Sequence, residues 1–307
     1  MTAPLRNQGS QGGQHHRQVV LVALDGSPSA ATALPVARLA AERLGAALEI
    51  LHVASTDLSD ADLADLRRRL GLDAAGLRGA TVRLLIGEPA AEILRSAADP
   101  QVALVVVTTH GYMPEFGRSL GRVAEAVVAG AERPILLVRP EAALAPDAWL
   151  PALQRFLIPL DGTPTTARVL PPITELACRL GASLDVLLVA ATDDKRSEEP
   201  GSISPPRYID QLHYEWPAWQ AEAIHRLCTV CAQCPADMLV RMYLARGPIS
   251  DEILRFAAEH RTDAIVLVRR SRLEQGRGAV IRQVLERAPC PILLVGKPAP
   301  NWSAPAD

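Results

Sequence analysis

The chain has 307 residues, 49% of them hydrophobic but only 4% aromatic, with a formal net charge of −2 and a pI near 6.4. At roughly 150 residues per domain this length predicts two domains, whose cores must be aliphatic layers of Ala, Val, Leu and Ile. The near-neutral charge excludes a whole-surface field for nucleic acid or an anionic membrane, and no apolar run reaches the roughly 18 to 20 residues of a membrane span.

The opening residues 1–17, rich in Gly, Gln and His, have the composition of a disordered tail and lack the apolar centre of a signal peptide. Five cysteines, an odd number, do not make the disulfide framework of a small secreted domain. A cytoplasmic location is therefore expected, with no nucleic-acid or membrane partner. In chain order, the runs VVLVAL, LEILHV, VRLLI, ALVVV and PILLV are short, continuous and rich in β-branched residues, as expected of strands buried on both faces. Between the first two, SAATALPVARLAAERLG carries apolar residues at helical spacing, with Pro35 early in the helix and Gly45 as its C-cap.

The second half repeats the first. A shift of 136 residues lays Leu24–Ala54 on Leu160–Ala190 without a gap, pairing LDGSPSAATALP with LDGTPTTARVLP and RLGAALEILHVA with RLGASLDVLLVA. Further on, Gly87 meets Gly247, Glu92-Ile93-Leu94-Arg95 meets Glu252-Ile253-Leu254-Arg255, and PILLV closes both copies. The predicted organisation is a domain over 18–140, a linker over 141–153, a second domain over 154–297 with a helical insertion at about 191–236, and a tail over 298–307. Alternating strands and helices predict an α/β fold, with each domain a doubly wound, five-stranded parallel sheet flanked by helices.

In such a sheet a ligand sits beyond the carboxyl ends of the strands, where the strand order reverses. The loops there are LDGSPS after the first strand, LHVAS after the second and VTTHGYMPEFGRSLGR after the fourth. These residues, in this order, resemble the universal stress protein family over nearly the whole chain. Its nucleotide-binding members carry Gly-x-x-Gly, nine residues, then Gly followed by Ser or Thr. Here Thr108-Thr109-His110-Gly111, nine residues and Gly121-Arg122 keep the spacing, with Thr108 in place of a glycine and Arg122 in place of the hydroxyl residue.

The resemblance implies a Rossmann-like domain akin to the adenine nucleotide alpha hydrolases, and ATP or another adenine nucleotide in the first copy. Gly111 and Gly121 would let backbone N–H groups approach phosphate at a helix start, and Arg118 and Arg122 could supply bidentate phosphate contacts. By the same resemblance Asp25, in the turn with Gly26, would meet the ribose or adenine side, Val53 would hold the adenine edge through its backbone, and His110 would fix the loop. Taken alone, Asp25 also reads as a turn residue bonding its own backbone, and the two glycines as a tight turn and a helix start.

The second copy keeps Asp161 and Gly278, but only five residues separate Arg272 from Gly278, the opening glycines are gone, and Arg269, Arg270, Arg272 and Arg277 crowd the loop. A degenerate site with a solvated basic rim is expected there. In the insertion, His225, Cys228, Cys231 and Cys234 stand three apart, but such positions drift by about 60° per step around a helix, so no metal site is expected. Tyr208, His213, Tyr214, Trp216 and Trp219 read as an amphipathic helix over the sheet edge, or else as a partner surface.

No Gly-x-Ser-x-Gly elbow, Walker loop or His-Glu-x-x-His is present, so the chain is not expected to be an enzyme. Two readings stand: a regulatory stress module whose domains pair through their last strands into an internal pseudo-dimer and which binds nucleotide in the first domain, or an interaction protein with vestigial pockets. Assembly beyond that pair, a homodimer included, is left open by the sequence.

Overall fold

A computed structural model describes residues 18–54, 65, 68, 79–111, 120–143, 152–160, 170–190, 221, 223–225, 228, 238–269 and 277–296. Ten strands are found among them: β1 (Val19–Ala23), β2 (Ala47–Ala54), β3 (Ala80–Ile86), β4 (Val102–Thr108), β5 (Ile135–Val138), β6 (Arg155–Leu160), β7 (Ser183–Ala190), β8 (Val240–Arg246), β9 (Ala264–Arg269) and β10 (Ile292–Gly296). They form one sheet in the order β3-β2-β1-β4-β5-β10-β9-β6-β7-β8. Every pairing is parallel except β5 with β10, which is antiparallel.

Each half is therefore a doubly wound five-stranded parallel sheet, and the halves join through their last strands as an internal pseudo-dimer. The join has a plain cause. Ile135, Leu136, Leu137 and Val138 are all buried, as are Ile292 to Val295, and a fully apolar edge strand left open would template aggregation.

The helices cover both faces. On one lie α1 (Pro28–Ala31), α2 (Ala33–Leu44) and α6 (Leu170–Leu180), packed on Val20, Val22, Ile50, Leu184 and Val186. On the other lie α3 (Pro89–Ala97), α4 (Arg122–Gly130), α7 (Ile249–Glu259) and α8 (Arg277–Arg287), over Leu21, Leu51, Val105, Leu187 and Ile265. The short α5 (Pro140–Ala143) follows β5. No helix among the described residues is long and apolar enough to cross a membrane.

Helix termini follow the local chemistry. Gly45 (φ 61°) and Gly181 (φ 65°) end α2 and α6 in the left-handed conformation, and the amides of Ala46 and Ala182 reach back to Ala41 and Ala177. One expectation is corrected here: the first helix is two. The segment breaks at Thr32, whose hydroxyl donates to Ser29 O at 2.6 Å. Pro35 has no N–H to give Ala31 O, so a continuous helix would lack a bond at that point.

Side chains also cross between the halves. Arg43 and Arg179, equivalent in the repeat, both reach over: Arg43 Nη1 donates to Leu180 O at the end of α6 (3.1 Å), and Arg179 donates to Gln18 Oε1. Arg139 Nη1 donates to Ala288 O beyond α8 (2.6 Å), and burial pulls its pKa down while Glu141 and Glu286 oppose the shift. Cations at helix carbonyl ends are favourably placed.

Candidate functional site

Within the first half the order β3-β2-β1-β4-β5 reverses between β1 and β4, so the loops leaving these two strands splay apart and frame a crevice. Four segments converge on it: Leu24–Ser27 after β1, the end of β2, Thr108–Gly111 after β4, and the start of α4.

The turn after β1 is held from within. Asp25 Oδ1 accepts the Ser27 N–H at 2.8 Å, and the buried Ser27 Oγ accepts the Ala30 N–H at 3.0 Å as the N-cap of α1. Gly26, at φ 87°, sits in the region that favours glycine. The turn reading of Asp25 is thus present, and so is a second contact: Oδ2 of the same exposed carboxylate lies against Gly111, where a Cβ would collide with it. Asp25 and Gly111 are 86 positions apart, and the switch point brings them together.

The loop after β4 is anchored at both ends. Thr109, fully buried, donates its N–H to Val138 O (2.9 Å) and accepts the Gly121 N–H at its own carbonyl (2.8 Å), which seats the start of α4 beside the crevice. His110 Nδ1 lies 3.2 Å from the hydroxyl of its neighbour, Thr109 Oγ1. Thr108 is buried as the last residue of β4, so its added Cβ faces inward. Gly121 is the N-cap of α4 and makes no side-chain cap bond, so the first-turn amides of Val123 and Ala124 have no side-chain cap. Arg122, the first helical residue, is exposed at the mouth. Such a terminus is suited to an anion.

Asp25 and Gly111 therefore meet at the switch point, with Gly121 beside Thr109 and His110 and with Arg122 following it, while Val53 is the next-to-last residue of β2. The sequence reasoning passed over His52. Its ring is buried, and Nδ1 lies 2.8 Å from Leu24 O, so Nδ1 carries the proton and donates. The signal was there in the repeat, because position 188 holds Leu where position 52 holds His.

The second half has no comparable set among the described residues. Arg118, Asp161, Arg270 and Arg272 lie outside them, as do Cys231, Cys234 and the aromatic residues Tyr208, His213, Tyr214, Trp216 and Trp219; the side chains of Arg269 and Arg277 are likewise not described. Gly278 falls in the first turn of α8. Among the described residues no group of three or more His, Cys, Asp or Glu could hold a metal ion. Cys228 is exposed, with Sγ 3.9 Å from Met242 Sδ. What this half does hold is an ion network: the fully buried Asp185 accepts from Arg155 Nε (2.5 Å) and Arg241 Nη1 (3.1 Å), while Arg155 Nη1 donates to His260 O (3.0 Å).

Fold and site together define a duplicated, doubly wound α/β protein whose first half brings Asp25 against Gly111 at its switch point. The chain belongs to the universal stress protein family, whose model matches residues 16–139 and again 152–296. A universal stress protein from Archaeoglobus fulgidus DSM 4304 superposes over 91% of this chain and 98% of its own, at 17% identity and a TM-score of 0.57. A protein of unknown function from Pseudomonas aeruginosa PAO1 does so over 92% and 93%, at 17% identity and a TM-score of 0.58. A universal stress protein solved in complex with cAMP aligns with 40% of this chain and 97% of its own, at 28% identity and a TM-score of 0.33. None of the curated proteins matches the chain.

Proposed function

We propose that this chain is a non-catalytic, cytoplasmic stress-response module that binds ATP or another adenine nucleotide in the first domain, taken as 18–140. The second domain, 154–297, carries a degenerate site. The observation that carries this reading is the meeting of Asp25 with Gly111 beside the uncapped start of α4. It gives the crevice a carboxylate for a sugar or base hydroxyl or amine at one end and helix amides with Arg122 for phosphate at the other. In support of the asymmetry, the second copy's loop is four residues shorter between its Arg272 and Gly278 than the nine-residue spacing of the first, and it lacks an opening glycine.

The test is mass spectrometry of small molecules released on denaturing the purified protein, wild type against Arg122→Glu. Adenine nucleotide released by the wild type and lost in the variant is the expected result. If neither carries nucleotide and added ATP leaves the melting temperature unchanged, the crevice is vestigial and the chain acts through its surfaces.

A further inference from the structure

The strand pairing of the two halves differs at several points, one of them at the carboxyl end of the first strand. In the second half the β6–β7 ladder runs to Leu160↔Leu188. In the first half the equivalent β1–β2 ladder stops one pair earlier, at Ala23↔Leu51, although the Leu24 N–H still donates to Leu51 O at 2.9 Å. In a parallel ladder the missing pair, Leu24↔His52, would be closed by the Val53 N–H donating to Leu24 O. That carbonyl is taken instead by the His52 ring, whose Nδ1 lies 2.8 Å away. Leu188, at the same place in the second half, has no polar group to do this, and there the ladder closes.

Backbone direction makes the consequence local. The carbonyl of Leu51 faces β1, so two residues on the N–H and C=O of Val53 face β1 as well, while Ala54 O faces β3 and accepts the Gly87 N–H at 2.9 Å. With β1 ended and Leu24 O occupied, no described residue pairs with the β1-facing peptide edge of Val53. That edge is one donor beside one acceptor, directed into the crevice where β1 and β4 part.

We infer that His52 is a positioning residue of the crevice: its imidazole ends the β1–β2 ladder early and holds the Val53 peptide edge open for a planar heterocycle that presents an acceptor beside a donor. The ligand part rests on the nucleotide reading above; the ladder part does not.

The experiment uses the full chain and two variants: His52→Leu, which installs the residue the second half already accommodates, and His52→Asn, whose side-chain amide can still donate to Leu24 O. The first readout is residue-resolved hydrogen exchange without ligand. The Val53 amide should exchange freely in wild type and His52→Asn, and about tenfold or more slowly in His52→Leu as it bonds Leu24 O. A Val53 amide already protected in wild type, or unchanged in His52→Leu, overturns the inference whatever the nucleotide result. The second readout is ATP affinity by calorimetry, expected to fall roughly tenfold in His52→Leu and to recover in His52→Asn. If wild type binds ATP and His52→Leu binds it equally well, the inference is overturned. If the exchange pattern appears while no form binds ATP, the ladder role of His52 stands and the nucleotide reading fails.

Discussion

Replacing Gly111 with alanine tests the contact on which the crevice depends. The new Cβ would occupy the place of Asp25 Oδ2, so either the loop shifts or the carboxylate swings away. If the carboxylate swings, Oδ1 leaves the Ser27 N–H, now 2.8 Å away, and that amide is stranded beside a side chain only 1% exposed. An orphaned buried donor costs about 1–3 kcal/mol, and an overpacked loop costs a similar amount. With roughly 2–4 °C per kcal/mol for a body of this size, the melting temperature should fall by about 2–12 °C. Asp25→Ala alone strands the same amide and should cost about as much.

The double variant is decisive, because the three atoms nearest to a Cβ at 111 all belong to Asp25 and are removed with it. The pair should therefore be no less stable than Asp25→Ala by itself, a coupling of about 1–3 kcal/mol in urea midpoints. Gly121→Ala is the internal control. A Cβ there has Thr109 O as its nearest neighbour at 3.5 Å, ordinary van der Waals contact, so only the poorer capping of alanine counts, about 0.5–1 kcal/mol. Additive costs for positions 25 and 111, or a Gly121→Ala variant as unstable as Gly111→Ala, would refute the contact.

Asp185→Ala should destabilise the second half more than any change at the crevice, because it leaves two guanidiniums facing each other. Breaking a buried pair costs about 3–5 kcal/mol, reduced here to about 2–4 because the Arg155 and Arg241 side chains are 28% and 38% exposed and can turn to water. Hydrogen exchange should quicken in β6 to β8 and hold in β1 to β4; an even loss across the sheet would contradict this. Burial pushes the Cys290 thiol well above its ordinary pKa, so iodoacetamide at pH 8 should label the exposed Cys178 and Cys228 and spare Cys290 until the chain is unfolded. Peptide mapping decides this, and equal labelling in the native state would show the site to be open.

Much of the fold was legible because its signals are local. Strands buried on both faces read as continuous runs, and Gly45 and Gly181 mark helix ends because only a residue without Cβ takes a left-handed turn at no cost. The break at Thr32 was less legible, since the periodicity of the segment is helical throughout and the fault lies in one hydrogen bond that Pro35 cannot make. Asp185 was missed as well. Inside LDVLLV it looks like a polar exception, and its partners Arg155 and Arg241 come from two other strands.

At the crevice the same division holds. Spacing matched to the family pattern nominated Thr108, Gly111, Gly121 and Arg122, and the resemblance to that family, not any local signal, nominated Asp25, Gly26, Val53 and His110. That the Asp25 carboxylate lies on Gly111, and that His52 takes the carbonyl of Leu24, depends on β1 lying between β2 and β4. By itself the sequence determined the element types, their caps and the duplication, since these follow from backbone preference and burial period within a few residues. Strand order, the antiparallel closure of β5 on β10 and the contacts across the switch point were decided only in the tertiary structure, where all apolar faces and edges must be covered at once.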